Sequence, residues 1–135
     1  MSGQPAFTHH LRVRYAEVDG QGVVFNAHWL TYFDDSCTRF MDHLGFSDIW
    51  ISDFDVMLVK AVVEWQGSAG FDDVVDITVT PTRLGTKSFD ISYDASVDER
   101  PVCRATITYV SVKPGFNEST PIPPAVRAAL EAASS

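Results

Sequence analysis

A single antiparallel β-sheet curled around one long apolar helix is the α+β architecture that this sequence predicts. Three observations carry it. From Ala27 to Leu44 there is no Gly or Pro, and Leu30, Phe33, Cys37, Met41 and Leu44 recur at spacings of three and four, which sets them on one side of a helix. Most of the remaining sequence alternates apolar and polar residues with the period of a strand. The strand-like runs are mostly joined by short turns, the connection that antiparallel neighbours use. One apolar sheet face and one apolar helix are buried together if the sheet wraps the helix.

Taken in order, Phe7, His9, Leu11, Val13 and Tyr15 alternate with Thr8, His10, Arg12 and Arg14, giving a first strand with the former set inward. A turn-rich loop, Ala16 to Asn26, feeds the helix. Trp29 and Phe40 widen the helical stripe, which implies burial over more than half the circumference. Asn26 is expected as N-cap and Gly45 as the residue just past the C-cap, giving a helix roughly 27 Å long. Phe46 to Asp55 has mixed character. Val56 to Trp65 is nearly continuously apolar, with Lys60 and Glu64 on one parity, and reads as a central or interface strand in which Glu64 is paired. Gln66 to Gly70 is a break. Asp73 to Leu84 resumes strand, and Pro81 marks an edge or a bulge. Leu84 to Lys87 makes a hairpin in which Gly85 supplies a positive φ. Phe89, Ile91, Tyr93, Ala95 and Val97 then alternate with Asp90, Ser92, Asp94, Ser96 and Asp98, one face core and the other wet or charged. Asp98 to Pro101 turns the chain back into a fifth strand, Val102 to Val112, with Cys103, Ala105, Ile107 and Tyr109 inward. Pro121 to Ala133 is a short C-terminal surface helix with proline at its start.

With 135 residues and 45% hydrophobic content, one domain over residues 1–135 is expected. A formal net charge of -8 argues against a general binder of nucleic acid or anionic membrane. Met1 to Thr8 lacks the charged start and apolar run of a signal peptide, and no apolar run approaches a membrane span, which points to the cytoplasm. Cys37 and Cys103 read as packing thiols. His9 and His10 face opposite sides of a strand and His43 lies near the helix end, so no metal-ligand spacing emerges and no cofactor is implied.

Asp19 stands out among the carboxylates because it lies in a Gly-flanked loop and not on a regular solvent face. It reads either as a turn aspartate satisfying nearby backbone donors or as a functional carboxylate beside the positive end of the helix. The free N–H groups around Asn26 would suit a developing oxyanion, and Gly20 and Gly22 would let the backbone approach a ligand. Gly20-x-Gly22 has neither a third Gly nor a following Lys-Ser/Thr, and is not a nucleotide fingerprint. No Gly-x-Ser-x-Gly elbow is present. His28 falls in the first helical turn, placed for packing or for a ligand, and Trp29 and Tyr32 could serve core or pocket.

The run Arg14-Tyr15-Ala16-Glu17-Val18-Asp19-Gly20-Gln21-Gly22-Val23-Val24-Phe25-Asn26-Ala27-His28-Trp29-Leu30, with Glu64-Trp65, Phe71-Asp72-Asp73-Val74 and Lys87-Ser88-Phe89 downstream, resembles the hotdog-fold acyl-CoA thioesterases of the 4-hydroxybenzoyl-CoA thioesterase and YbgC-like group. The matches run from about Leu11 to Val112 in family order. The resemblance implies the hotdog fold, five antiparallel strands around a central helix, and hydrolysis of an acyl-CoA thioester to free acid and CoA. By it, Asp19 is the catalytic carboxylate, as nucleophile or general base, and the Asn26 backbone N–H polarises the thioester carbonyl. Gly22, Val23, Val24, Phe25, His28 and Trp29 line the substrate site, and Lys87 contacts the nucleotide end of CoA. It further implies a homodimer with sheets joined edge to edge and sites at the interface, paired again into a homotetramer. Two competing readings are a hotdog enoyl-CoA hydratase or dehydratase and a non-catalytic acyl-CoA-binding protein.

Overall fold

A computed structural model describes residues 7–46, 54–115 and 118–134. Five strands, β1 (Phe7–Arg12), β2 (Asp55–Trp65), β3 (Val74–Leu84), β4 (Ser88–Val97) and β5 (Arg100–Val112), form one antiparallel sheet in the order β1-β3-β4-β5-β2. Among the described residues the helices are α1 (His28–His43) and α2 (Pro124–Ala133), and a 3₁₀ turn spans Tyr15–Glu17. Most of the mixed stretch after α1, and Met1 to Ala6, lie outside the described residues.

The alternating strands behave as their period dictates. Val75, Ile77 and Val79 of β3, Phe89, Ile91, Tyr93, Ala95 and Val97 of β4, and Cys103, Ala105, Ile107 and Tyr109 of β5 are all buried. On this concave face lies α1, which buries Trp29, Tyr32, Phe33, Ser36, Cys37, Phe40 and Met41. Phe33 stacks on Tyr93 with ring centroids 5.1 Å apart, and the Tyr93 and Tyr109 hydroxyls bond each other at 2.7 Å, which satisfies two polar tips in an apolar core. Burial pushes the free thiols of Cys37 and Cys103 up to about 11 and about 12, so both are neutral packing groups, as expected.

Several expectations need correction. At 100° per residue the buried stripe of α1 spans about 180°, half the circumference and not more. Leu30 is exposed and Leu44 only partly buried although both point along the buried stripe, because they sit at the two ends of the helix, where Leu30 borders an open groove. Asn26 does not cap: the N-cap position is Ala27, with no side-chain cap. The other end is as read. Gly45 takes φ +92°, its N–H donates to the Asp42 carbonyl at 3.0 Å, and the Phe46 N–H reaches the Met41 carbonyl at 2.9 Å, the Schellman arrangement. Tyr15 does not continue β1 inward; it is 77% exposed on the 3₁₀ turn and meets Phe71 edge-on.

The order of strands brings the largest surprise. β2 is not central but an edge strand, paired among the described residues with β5 alone, and Met57, Leu58, Val59, Val62 and Trp65 are each close to half exposed. Glu64, in register with Arg104, is exposed as well. Pro81 does mark a bulge, the β3–β4 register shifting between Pro81 and Arg83. Gly85 has no positive φ; a side chain there would meet the Arg83 guanidinium at 3.0 Å and Ser88 at 3.2 Å, so crowding is what asks for glycine. α2 begins on Pro124, buries Val126 and Leu130 against β3, and joins its Arg127 guanidinium to the Gly85 and Thr86 carbonyls. No helix among the described residues is long and apolar enough to cross a membrane.

Val97 pairs with Arg100 across a two-residue turn in which Asp98 and Glu99 both have positive φ, 49° and 66°. This is the turn that fits strand twist, built without glycine. A β-carbon in that region costs about 1 kcal/mol. Glu99→Gly is therefore expected to raise the thermal unfolding midpoint by a few degrees; an unchanged or lower midpoint in a calorimetric scan would show the turn to be unstrained.

Candidate functional site

The loop between β1 and α1 is a small hairpin of its own. Val18 bridges Val24, the Asp19 N–H donates to the Val23 carbonyl at 2.9 Å, and the Gly22 N–H donates to the Asp19 carbonyl at 2.9 Å. Gly22, at φ +80°, takes the left-handed position that ends a three-residue loop of this kind. Asp19 Oδ1 accepts the Gln21 N–H at 2.8 Å, so the turn reading of Asp19 is realised. It uses one oxygen only; among the described residues nothing else meets the carboxylate.

Two anchors fix the hairpin. The Val24 N–H donates to the Ala69 carbonyl at 2.9 Å and Val23 bridges Gly70, which ties one arm to the segment before β3. At its base the Phe25 N–H donates to the Glu17 carbonyl at 3.0 Å. The chain then turns into α1 through His28 N–H to the Phe25 carbonyl at 2.9 Å, and the backbone N–H groups of Asn26 and Ala27 meet no acceptor among the described residues. They sit at the positive end of a 16-residue helix. Beside them Phe25, Asn26, Ala27, Trp29, Leu30, Val63 and Trp65 line an apolar groove of about 310 Å³.

The expected site residues therefore fall into three places. Phe25, Asn26 and Trp29 line the groove; Asp19, Gly22, Val23 and Val24 form the hairpin next to it, with Val24 buried as an anchor. His28, the first residue of α1, is half-buried with its ring 6.0 Å from that of Phe25. Lys87 is not brought to them within one chain. It follows the far end of β3, and the 11 residues of that strand put roughly 30 Å between it and the hairpin; its ammonium lies 3.5 Å from Ser119 Oγ.

Sequence reading missed Leu30, Val63 and Trp65 as groove walls, because their role depends on β2 lying at the sheet edge beside the start of α1. It also missed Glu17. That carboxylate is buried, with Oε1 accepting from the Arg14 N–H at 2.8 Å and from the Tyr32 hydroxyl at 2.9 Å, and Oε2 accepting from the Arg14 guanidinium at 2.9 Å and 3.2 Å. Burial pushes its pKa up, but the Arg14 N–H, the Arg14 guanidinium and the Tyr32 hydroxyl outweigh burial and hold it below the usual range. Burial, then the bond to Glu17, pushes the Tyr32 hydroxyl up, so it stays a donor. The available signal was Arg14 three residues ahead of Glu17, the spacing at which a carboxylate reaches back to the first N–H of a turn and pairs with the guanidinium.

A sheet that wraps one helix, with free N–H donors at the helix start, an apolar groove and a loop carboxylate, is an arrangement suited to polarising and cleaving an acyl group. The chain belongs to the thioesterase-like superfamily, which it matches over residues 13–130, and is a hotdog-fold thioester hydrolase. It is 23% identical over 119 residues to a 1,4-dihydroxy-2-naphthoyl-CoA hydrolase of Crocosphaera subtropica, covering 84% of this chain and 87% of the relative. A gentisyl-coenzyme A thioesterase superposes with TM-score 0.84 at 25% identity, covering 92% and 99% of the two chains. A 1,4-dihydroxy-2-naphthoyl-CoA thioesterase of Synechocystis shares the fold with TM-score 0.82 at 23% identity, covering 93% and 96%.

A depressed carboxylate pKa stabilises the fold above the unfolded-state value and loses that contribution as pH falls through the folded one. Glu17→Gln removes it. In urea titrations from pH 7 to 3, wild type should exceed Glu17→Gln by a margin that is full near neutrality and shrinks below the ordinary glutamate value of 4.5; a margin independent of pH would refute the assignment.

Proposed function

We propose that the protein hydrolyses acyl-CoA thioesters to free acid and CoA, with Asp19 and the Asn26 backbone N–H as the catalytic pair. The observation that carries this reading is the unpartnered N–H at the helix start, on the rim of an apolar groove and joined through one turn to the hairpin that bears Asp19. The acyl chain lies in the groove against Phe25, Trp29 and Trp65, and the thioester carbonyl rests on the Asn26 N–H. As the carbonyl carbon becomes tetrahedral, charge grows on its oxygen at the positive helix end; one such donor is typically worth about 3 kcal/mol in the transition state. Asp19 supplies the second element, either attacking the carbonyl to form an anhydride that water then opens or taking a proton from the attacking water. In both routes the C–S bond breaks, the thiolate leaves and is protonated, and one water is consumed.

The groove walls are aromatic and aliphatic, which favours an acyl group with little charge; the relatives named for naphthoyl-CoA and gentisyl-CoA act on aromatic acyl groups, in keeping with that chemistry. Gly22, Val23 and Val24 act by shaping the hairpin, and His28 borders the substrate path beside Phe25.

Asp19→Asn should keep the fold and lower kcat by about 100-fold or more, read as free thiol released from a panel of aromatic and aliphatic acyl-CoAs. Undiminished release by the variant would sink the assignment. Tight acyl-CoA binding by wild type without thiol release would identify a binding protein instead.

The assembly is part of the same reading: two chains pair along β2, whose apolar edge is long and uncovered. In such a pair Lys87 of one chain can serve the site of the other, which one chain alone does not allow. Light scattering should give the mass of a dimer or tetramer, and Val59→Lys combined with Val62→Lys should reduce it to the monomer with loss of turnover. A wild-type monomer with full activity would exclude the pairing.

A further inference from the structure

We propose that Glu17 and Tyr32 form a positioning clamp that holds Asp19 in place relative to the Asn26 N–H; the inference rests on the reading of those two groups just given. The two halves of that pair are on separate elements. Asp19 rides on the hairpin, whose base is closed by the Phe25 N–H on the Glu17 carbonyl, whereas Asn26, between that base and the N-cap Ala27, is held to the first turn of α1 by the Trp29 N–H on its carbonyl at 3.3 Å. The hairpin's ties through Val23 and Val24 lead to Gly70 and Ala69, toward β3, and not to α1. The side-chain link from the Asp19 arm to α1 is the Tyr32 hydroxyl on Glu17 Oε1, at 2.9 Å.

The chemistry of the contact argues for a geometric role. A buried carboxylate is no cheaper for the core than an apolar side chain of its size, since the loss of hydration offsets most of what its partners supply. What it adds is direction. Arg14 holds both oxygens through its N–H and guanidinium, and this alone caps the 3₁₀ turn. The Tyr32 bond adds nothing to that cap and instead fixes the turn against the second turn of α1. Trp29, a wall of the groove, packs edge-on against Tyr32 with centroids 5.3 Å apart, so the tyrosine ring and the groove are set together. Glu17 and Tyr32 line a different recess, of about 380 Å³, with Leu11, Arg12, Arg14, Thr31 and Asp35; none of these lines the groove, so the clamp acts through Asp19 and not on substrate.

Tyr32→Phe isolates the clamp, since it removes one hydroxyl and leaves the ring and the Arg14 cap. Assayed as a folded protein well below its unfolding midpoint, the variant should lose roughly 10- to 100-fold in kcat, with KM within about twofold of wild type, because misplacement of a reacting group is felt in the transition state. In an Asp19→Asn background the same substitution should cost nothing further. Glu17→Gln, which keeps an acceptor for Tyr32, should retain more kcat than Glu17→Leu. Wild-type kcat in Tyr32→Phe beside an inactive Asp19→Asn would overturn the clamp alone, as would an equal fold-loss in the Asp19→Asn background. Full turnover by Asp19→Asn would instead overturn the hydrolytic reading on which the clamp depends.

Discussion

One constraint shapes the molecule: the sheet has to bury its main helix from one side, with only the short α2 adding to the core among the described residues. The concave face of β3, β4 and β5 meets that need through Ile77, Phe89, Ile91, Tyr93 and Ile107, against Phe33, Phe40 and Met41 of α1, all essentially inaccessible to solvent. Because the cover is one-sided, the opposite side of α1 stays wet, and the helix begins beside the end of β2, where Trp29 and Leu30 meet Val63 and Trp65 across the groove. The N-terminal end is thus left with free backbone donors at the surface, next to the loop that brings the chain in. The site is a consequence of where a wrapped helix must begin.

How much of this was legible depended on the range of the signal. The alternations in β3, β4 and β5 and the glycine after α1 are local: each residue's face or φ is decided by neighbours in sequence, and those readings held. Strand order is not local. Nothing within Val56 to Trp65 says whether it lies inside the sheet or at its rim, since an apolar run serves a buried strand and an uncovered edge equally well. The exposure of Leu30 follows from the same limit, because it shares the face of Cys37 and Met41 and only its place at the open end of α1, beside the groove, leaves it uncovered. The helix start slipped by a residue for a different reason. The chain turns through Phe25 to His28 by backbone bonds alone, so the capping side chain expected at Asn26 was not required.

The site divided along similar lines. Asp19 and Gly22 could be picked out because a carboxylate just ahead of two glycines in a short loop is unusual on its own terms. Glu17 offered only its spacing from Arg14, which an exposed ion pair would share, and the fold alone reveals Tyr32 above it. The two carboxylates now separate by what their oxygens do. Those of Glu17 take four donors, which keeps it charged and fixed. That of Asp19 takes one, from Gln21, and keeps the capacity to meet a substrate or a water. The structural carboxylate and the one proposed for chemistry stand two residues apart and differ in hydrogen-bond occupancy, not in residue type.

The groove carries the same logic to the scale of the assembly. Its walls come from two sources: Phe25, Trp29 and Leu30 at the start of α1, and Val63 and Trp65 at the end of β2. The second source is a strand with its outer edge unpaired, whose exposed Met57, Leu58, Val59 and Val62 continue the apolar surface away from the groove. An edge strand in that condition is less constrained than an internal one, and so is any pocket wall it carries. Pairing along β2 would order Val63 and Trp65 and shield the groove from water, which strengthens the field of the helix start on a bound carbonyl. Substrate recognition and association would then draw on one strand, and a substitution that loosens the pairing would weaken catalysis without touching Asp19.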